Sequence, residues 1–271
     1  MGKIFDAIDK YRAETDISGT KEFLSGLQRQ KVKDSGPVSA PGHLNERRYS
    51  NKLVTLLAPT RFNSEMFKSI RGMIFHAIDR PTPKAIMVTS AFPGEGKTYV
   101  AANLAVSLAR GLNDKVLLID ADLRRPAIHK MFGYADNYGL SEYLQGKKDI
   151  SELLIKTDID NLTLLLSGEL PPNPAELLSS KKMNEFVREA KERYQDRFLI
   201  IDVTPSQMIS ETNIMATHVD GVILVVRSGQ TPRAIVKKTV ESIGRERILG
   251  VVFNGFTQSF KDYNKYYRGY Y

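Results

Sequence analysis

Ala85-Ile86-Met87-Val88-Thr89-Ser90-Ala91-Phe92-Pro93-Gly94-Glu95-Gly96-Lys97-Thr98 is the stretch that decides the fold. It opens as a short apolar run, the signature of a buried strand, and then breaks into a loop rich in Gly and Pro. Apolar residues at helical spacing follow, up to a stop at Gly111. Gly96-Lys97-Thr98 match the end of the phosphate-loop pattern G-x-x-x-x-G-K-[ST], with Ala91 at the first Gly. Gly94 and Gly96 let successive backbone N–H groups, here including that of Glu95, curl around phosphate oxygens. The helix that starts at Lys97 adds the partial positive charge of its N-terminus. In this pattern Lys97 reaches the phosphates and Thr98 holds Mg²⁺. The alternative is a chance glycine-rich turn, against which the flanking strand and helix both argue.

The same alternation continues outward. Lys115–Ile119, Leu162–Leu166, Phe198–Ile201, Val222–Val226 and Leu249–Phe253 read as short buried strands. Arg61–Asp79, Ser180–Tyr194 and Pro232–Gly244 read as helices, the last with Thr231 as its cap and Pro232 in its first turn. Continuous apolar strands separated by helices predict an α/β fold of the P-loop NTPase kind, a mostly parallel sheet with helices on both faces. Ligands in such sheets bind at the carboxyl ends of the strands. Before this body, Ile4, Phe5, Ile8 and Tyr11 have helical spacing and residues 15–50 turn polar. The expected division is a helix and linker over 1–50, a domain over 51–256 and a tail over 257–271.

The chain has 271 residues with Lys+Arg 39 against Asp+Glu 31, a formal charge of +8. Hydrophobic residues at 42% and charged residues at 26% are globular proportions, which exclude a wholly disordered or fibrous chain. With no Cys, disulfides, thiolate metal sites and cysteine nucleophiles are excluded, and a reducing cytoplasm fits. No apolar run approaches the roughly 20 residues of a membrane span. Lys3, Asp6 and Asp9 stand where a signal peptide would be apolar, and Asp6 breaks the myristoylation pattern after Gly2. The expectation is a soluble protein that meets membranes only through a partner. The basic residues are scattered, as on a solvated surface, so no nucleic-acid partner is expected.

Two further acidic features accompany the loop. Leu117-Leu118-Ile119-Asp120-Ala121-Asp122 puts carboxylates at and just past a strand end, and Phe198-Leu199-Ile200-Ile201-Asp202 ends another apolar run in Asp. Alone, each Asp could serve as a turn or cap residue. Beside a phosphate loop, such a carboxylate can hold Mg²⁺ directly or through water. The final nine residues hold five of the chain's twelve Tyr: Tyr263, Tyr266, Tyr267, Tyr270 and Tyr271. Three readings stay open for them: phospho-acceptors, a docking element, or bases stacking on Tyr among Lys and Arg.

Together these motifs resemble the bacterial tyrosine kinases, over roughly residues 60–271. Leu117–Arg124 is similar to that family's Walker A′ motif and Phe198–Asp202 with Pro205 to its Walker B. Gly168 and Pro172–Leu178 resemble a segment between them. Glu65, Lys68 and Arg71 have the spacing of the family's helical subunit contact, with Lys68 where Arg is usual. Asn254 resembles a base-contacting Asn of related ATPases, and Val203-Thr204-Pro205 departs from the small hydroxyl residue more usual after the Walker B Asp.

The resemblance implies ATP and Mg²⁺ at Gly94, Glu95, Gly96, Lys97, Thr98 and Tyr99, with Thr98, Asp122 and Asp202 on the metal side. Asp120 is the expected acceptor of the tyrosine proton, Asp122 sharing that role or holding metal. It implies tail phosphorylation between subunits of a ring-like oligomer, with the modified tail disfavouring the ring. The implied partners are the cytoplasmic tail of a membrane co-polymerase-like activator of exopolysaccharide assembly and a protein-tyrosine phosphatase. The rival reading is a switch ATPase of the partition or cell-division type, which shares the loop and the acidic strand ends. Those proteins carry a signature Lys where this chain has Phe92, and their membrane-binding versions end in an amphipathic helix. A nucleotide-binding adaptor is the third.

Overall fold

The computed structural model describes residues 48–75, 81–111, 115–135, 138–193, 197–206 and 211–255. The first half of the described chain carries α1 (Val54–Leu57), α2 (Phe62–Phe75), β1 (Ala85–Ser90), α3 (Lys97–Gly111), β2 (Lys115–Asp120), α4 (Ile128–Phe132) and α5 (Leu140–Leu144). Next come β3 (Leu154–Lys156), β4 (Leu162–Leu165), α6 (Pro174–Leu178), α7 (Lys181–Arg193) and β5 (Arg197–Asp202). The last elements are α8 (Glu211–Met215), β6 (Gly221–Arg227), α9 (Arg233–Ile243) and β7 (Ile248–Asn254). No helix among the described residues is long and apolar enough to cross a membrane.

Among the described residues seven strands form one sheet in the order β3-β4-β2-β5-β1-β6-β7. Every pairing is parallel except β3 with β4, an antiparallel edge that the sequence reading had not anticipated. Every residue of β1 is buried, and β2 and β5 expose only their first residue in part. Alternate side chains therefore feed two separate cores. Ile86, Val88, Leu118 and Ile200 pack under α3, whereas Met87, Leu117, Leu199 and Ile201 meet Phe186 and Val187 of α7. Helices on both faces answer the absence of a polar face on these strands.

This order places the site. β5 lies between β1 and β2, so Asp202 is in register with Val88 on one side and Asp120 on the other. The phosphate loop and the two acidic strand ends, far apart in the chain, thus share one end of the sheet.

The chain before β1 is bound to this body. Tyr49 is buried against Phe132 and its hydroxyl donates to Asp158. Asn103, fully buried on α3, accepts from the Thr55 backbone N–H at 3.0 Å and donates to the Lys52 carbonyl at 2.9 Å. Arg48, Tyr49 and Ser50, expected as the end of the linker, therefore belong to the folded unit; the apolar ring of Tyr49 is what draws them in. The helix expected over residues 1–14 and the tail tyrosines lie outside the described residues.

A second correction concerns α9. Pro232 occupies its cap position, and no side chain caps that end. The Thr231 hydroxyl, expected to do so, donates to Glu95 instead.

Asp220 ties the entry of β1 to the turn before β6. It accepts from the backbone N–H of Lys84 and Ala85, both at 2.9 Å, and pairs with Lys191. Burial opposes its charge, but the Lys191 bond and those two N–H groups hold its pKa below the ordinary value. Stability from such a group is present above about pH 4 and is lost as the pH falls through the lower folded-state value. Asp220→Asn should flatten the acid limb of a denaturation series below about pH 4; an unchanged limb would remove this residue from the account.

Candidate functional site: a phosphate loop facing three carboxylates

The loop between β1 and α3 owes its shape to two glycines. Gly94 has φ +84° and Gly96 φ +97°, a region that residues with a Cβ rarely adopt. A Cβ on Gly96 would also lie 2.0 Å from the Asn254 amide nitrogen, whereas one on Gly94 would project into open space. That open side is a concave surface of backbone N–H groups at a helix N-terminus, where a phosphate fits.

Lys97 is buried and its ammonium lies 2.6 Å from Asp122 and 3.5 Å from Asp202. Burial opposes its charge, yet Asp202, then Asp122 and Asp120, more than offset this and raise its pKa. The lysine is a cation at any ordinary pH. Asp202 is fully buried, and neither of its oxygens has a well-aligned hydrogen-bond donor among the described residues. Burial pushes its pKa up and Lys97 pulls it back. A buried carboxylate left this way beside Thr98 has the donor chemistry that Mg²⁺ takes. Among the described residues no cluster of three or more His, Asp or Glu side chains is placed to hold a metal alone. An ion here would also need phosphate oxygens or water.

The structure gives Asp120 a different task from the one expected. One oxygen accepts from the Asp122 N–H at 3.2 Å; the other accepts from the N–H groups of Ala127 and Ile128 at 3.1 and 3.0 Å. Its side chain is fully buried, so it holds the β2–α4 turn and offers no open face to a substrate hydroxyl. Burial, together with the Asp202 charge, pushes its pKa up to about 8. Asp122 differs: it lines the cleft and bonds Lys97.

Glu95 is expected to meet the nucleotide through its backbone; its side chain is buried and turned away from the cleft. It accepts from the Phe92 N–H at 2.8 Å, from the Arg227 N–H at 3.4 Å and from the Thr231 hydroxyl. The Asn254 amide donates to the Glu95 carbonyl at 2.8 Å, so this nitrogen is engaged with the loop backbone. Two residues, one on the loop and one at the end of β7, thereby brace the loop against the ends of β6 and β7. Spacing from the loop cannot reveal this, since the partners lie 132 to 159 positions away. Tyr99 lines the cleft, edge-on to Phe67 with ring centroids 5.7 Å apart.

The three residues of the expected subunit contact divide. Glu65 and Lys68 are exposed and pair with each other at 2.6 Å. Arg71 donates to the Ser107 carbonyl at 2.7 Å and lies against Gly111. It is held on α3 because Gly111 carries no Cβ to bar the guanidinium.

Residues 83–245 match the AAA domain family. The chain is 39% identical over 211 residues to the tyrosine-protein kinase YwqD of Bacillus subtilis, covering 77% of this chain and 87% of that protein. It belongs to the bacterial tyrosine kinases. The crystal structure of the chimerical protein CapA2B2 is 34% identical, covering 77% of this chain and 92% of that one with a TM-score of 0.71. The septum site-determining protein MinD of Pyrococcus horikoshii, complexed with Mg-ADP, is 21% identical with a TM-score of 0.53, covering 66% of this chain and 72% of its own. It shares the fold alone. This tyrosine kinase transfers phosphoryl from ATP to protein tyrosine, giving ADP and protein phosphotyrosine.

Glu95→Ala in the kinase strands two backbone donors and a hydroxyl, and the loop loses its brace. The nucleotide Kd of the folded protein should rise roughly tenfold, about 1.4 kcal/mol, while Glu95→Gln, which keeps an acceptor oxygen, retains most affinity. Titration calorimetry with ADP beside a thermal melt checks this. A lower Tm with unchanged Kd would mean that the brace is merely structural.

Proposed function

We propose that this kinase phosphorylates the tyrosine cluster of its own tail, Tyr263, Tyr266, Tyr267, Tyr270 and Tyr271, between subunits of a ring-like oligomer. Transfer of this kind needs positioning and charge neutralisation more than covalent help from the protein. The observation that carries the reading is the buried Lys97 ammonium held between Asp122 and Asp202 at the mouth of the loop. When phosphates enter the cradle of Gly94, Gly96 and the backbone of Glu95, Lys97 moves its charge onto them and leaves Asp122 free. The tyrosine oxygen then attacks the terminal phosphorus, the bond from that phosphorus to the bridging oxygen breaks, and the tyrosine proton passes to Asp122. Asp120 acts on the step by fixing the turn that carries Asp122. Thr98 and Asp202 would hold Mg²⁺, which supplies charge neutralisation on the phosphates when bound. Tyr99 would line the nucleotide.

Glu65 and Lys68 on α2 are the subunit contact in this reading, supported by their exposure. Each phosphate adds about −1.5 to −2 charges, so the tail would change from basic to acidic. That change is the switch by which the ring is disfavoured, a phosphatase reversing it. The cytoplasmic tail of a membrane co-polymerase-like activator would recruit the kinase to the inner face of the membrane, where the cycle controls exopolysaccharide polymerisation and export. Residues 1–47 form the tethering segment, 48–256 the kinase domain and 257–271 the substrate tail.

Incubation with radiolabelled ATP, Mg²⁺ and an activator peptide should label the tail tyrosines, as mapped by mass spectrometry. Lys97→Met should reduce labelling by roughly 100-fold or more, because the phosphates lose their cation and two buried carboxylates lose theirs. A Lys97→Met chain that labels its own tyrosines at the original rate would sink the mechanism.

A further inference from the structure

The cleft is larger than the phosphate cradle at its floor. Its volume is about 890 Å³, and its outer rim carries Lys52, Arg124, Arg125 and Lys130. These four come from three separate places: the segment before α1, the turn after β2, and α4. All four are exposed, and none of their side chains is paired with a carboxylate among the described residues. The one acidic residue lining the cleft, Asp122, is already taken by Lys97. The rim therefore holds four uncompensated positive charges over a concave surface, where the field of like charges is focused. The lining also includes an uncharged stretch, Leu170, Pro171, Pro172 and Pro174.

In the proposed reading an acceptor tyrosine enters this same cleft, and its flanking residues then meet the four cations. The unmodified tail suits them poorly. Between Thr257 and Tyr271 it has Lys261, Lys265 and Arg268 against Asp262 alone. One phosphate brings that segment near neutrality, and two make it acidic, at about −1.5 to −2 charges each.

We propose that the rim is a phosphotyrosine-binding subsite, so that the kinase prefers an acceptor segment already carrying phosphate beside its unmodified tyrosine. This rests on the reading of the tail as acceptor. Arg124 and Arg125 supply planar forks for phosphate oxygens, and Lys52 and Lys130 supply point charges. The first transfer is then the slow one and later transfers are favoured. The gain saturates at about two phosphates, whose charge equals that of the four cations. A third meets no free cation, and its repulsion from the acidic, nucleotide-loaded floor favours release.

The test reads binding without transfer. The full chain, with phenylalanine at its five tail tyrosines, is loaded with a non-hydrolysable ATP analogue and titrated into labelled peptides of residues 257–271 while anisotropy is followed. The peptide phosphorylated at Tyr267 should bind roughly tenfold tighter than the unmodified one at low salt, the difference shrinking as salt rises. Arg125→Ala with Lys130→Ala should remove the difference between the peptides, and Lys52→Gln with Arg124→Gln serves as a second pair. Equal affinities, or a difference that survives both pairs, overturn the proposal. So does an equal gain from glutamate at position 267, or a single-stranded oligonucleotide or anionic vesicle bound as tightly through the same four residues. If the phosphopeptide is favoured through the rim but no peptide accepts phosphoryl from the native kinase, the subsite stands and the acceptor reading falls.

Discussion

A lysine ammonium enclosed by carboxylates from two strand ends is the interaction on which the rest depends. Burying Lys97 alone would be costly, and burying Asp202 alone equally so. Together they are tolerable, and the pair holds the mouth of the loop in one arrangement before any ligand arrives. Such a pair contributes little net stability, because desolvation consumes much of the attraction. What it does provide is a cation already poised at the cradle, paired with Asp122 at 2.6 Å. Asp202, whose oxygens lack a well-aligned donor among the described residues, is balanced by the nearby Lys97 ammonium and the Thr98 hydroxyl.

The loop is held from behind as well as from within. Glu95 reaches across to Arg227 and Thr231, and Asn254 reaches in from the end of β7. These contacts explain one of the two glycines: at Gly96 the backbone passes so close to Asn254 that no Cβ fits, whereas Gly94 is required by its positive φ alone. They also connect the phosphate cradle to β7, the strand that leads directly towards the tail.

The three carboxylates show how similar residues acquire different work. Asp120 and Asp122 are two positions apart, yet one is spent on three backbone N–H groups while the other faces the cleft. After β2 the chain leaves the sheet and turns, so the strand rule that puts i and i+2 on one side no longer applies. Asp202, across the register from Asp120, shares its burial without sharing its hydrogen bonds.

Local chemistry was legible along the chain. The apolar runs marked β1, β2 and β4 to β7 within a residue or two, because burial on both faces of the inner strands leaves a direct mark on residue choice; β7, expected to be buried, is instead an edge strand with Val251 and Phe253 exposed. The glycine-lysine-threonine step located the cradle. The short antiparallel β3 left no such mark, since three edge residues carry no period. The strand order, which sets β5 between β1 and β2, is decided by packing between segments distant in sequence. On it depend the meeting of Lys97 with Asp122 and Asp202, the turning of Glu95 away from the nucleotide side, and the capture of Arg71 by α3. A side chain's type states what it can bond, but which partner stands within reach is a property of the assembled sheet.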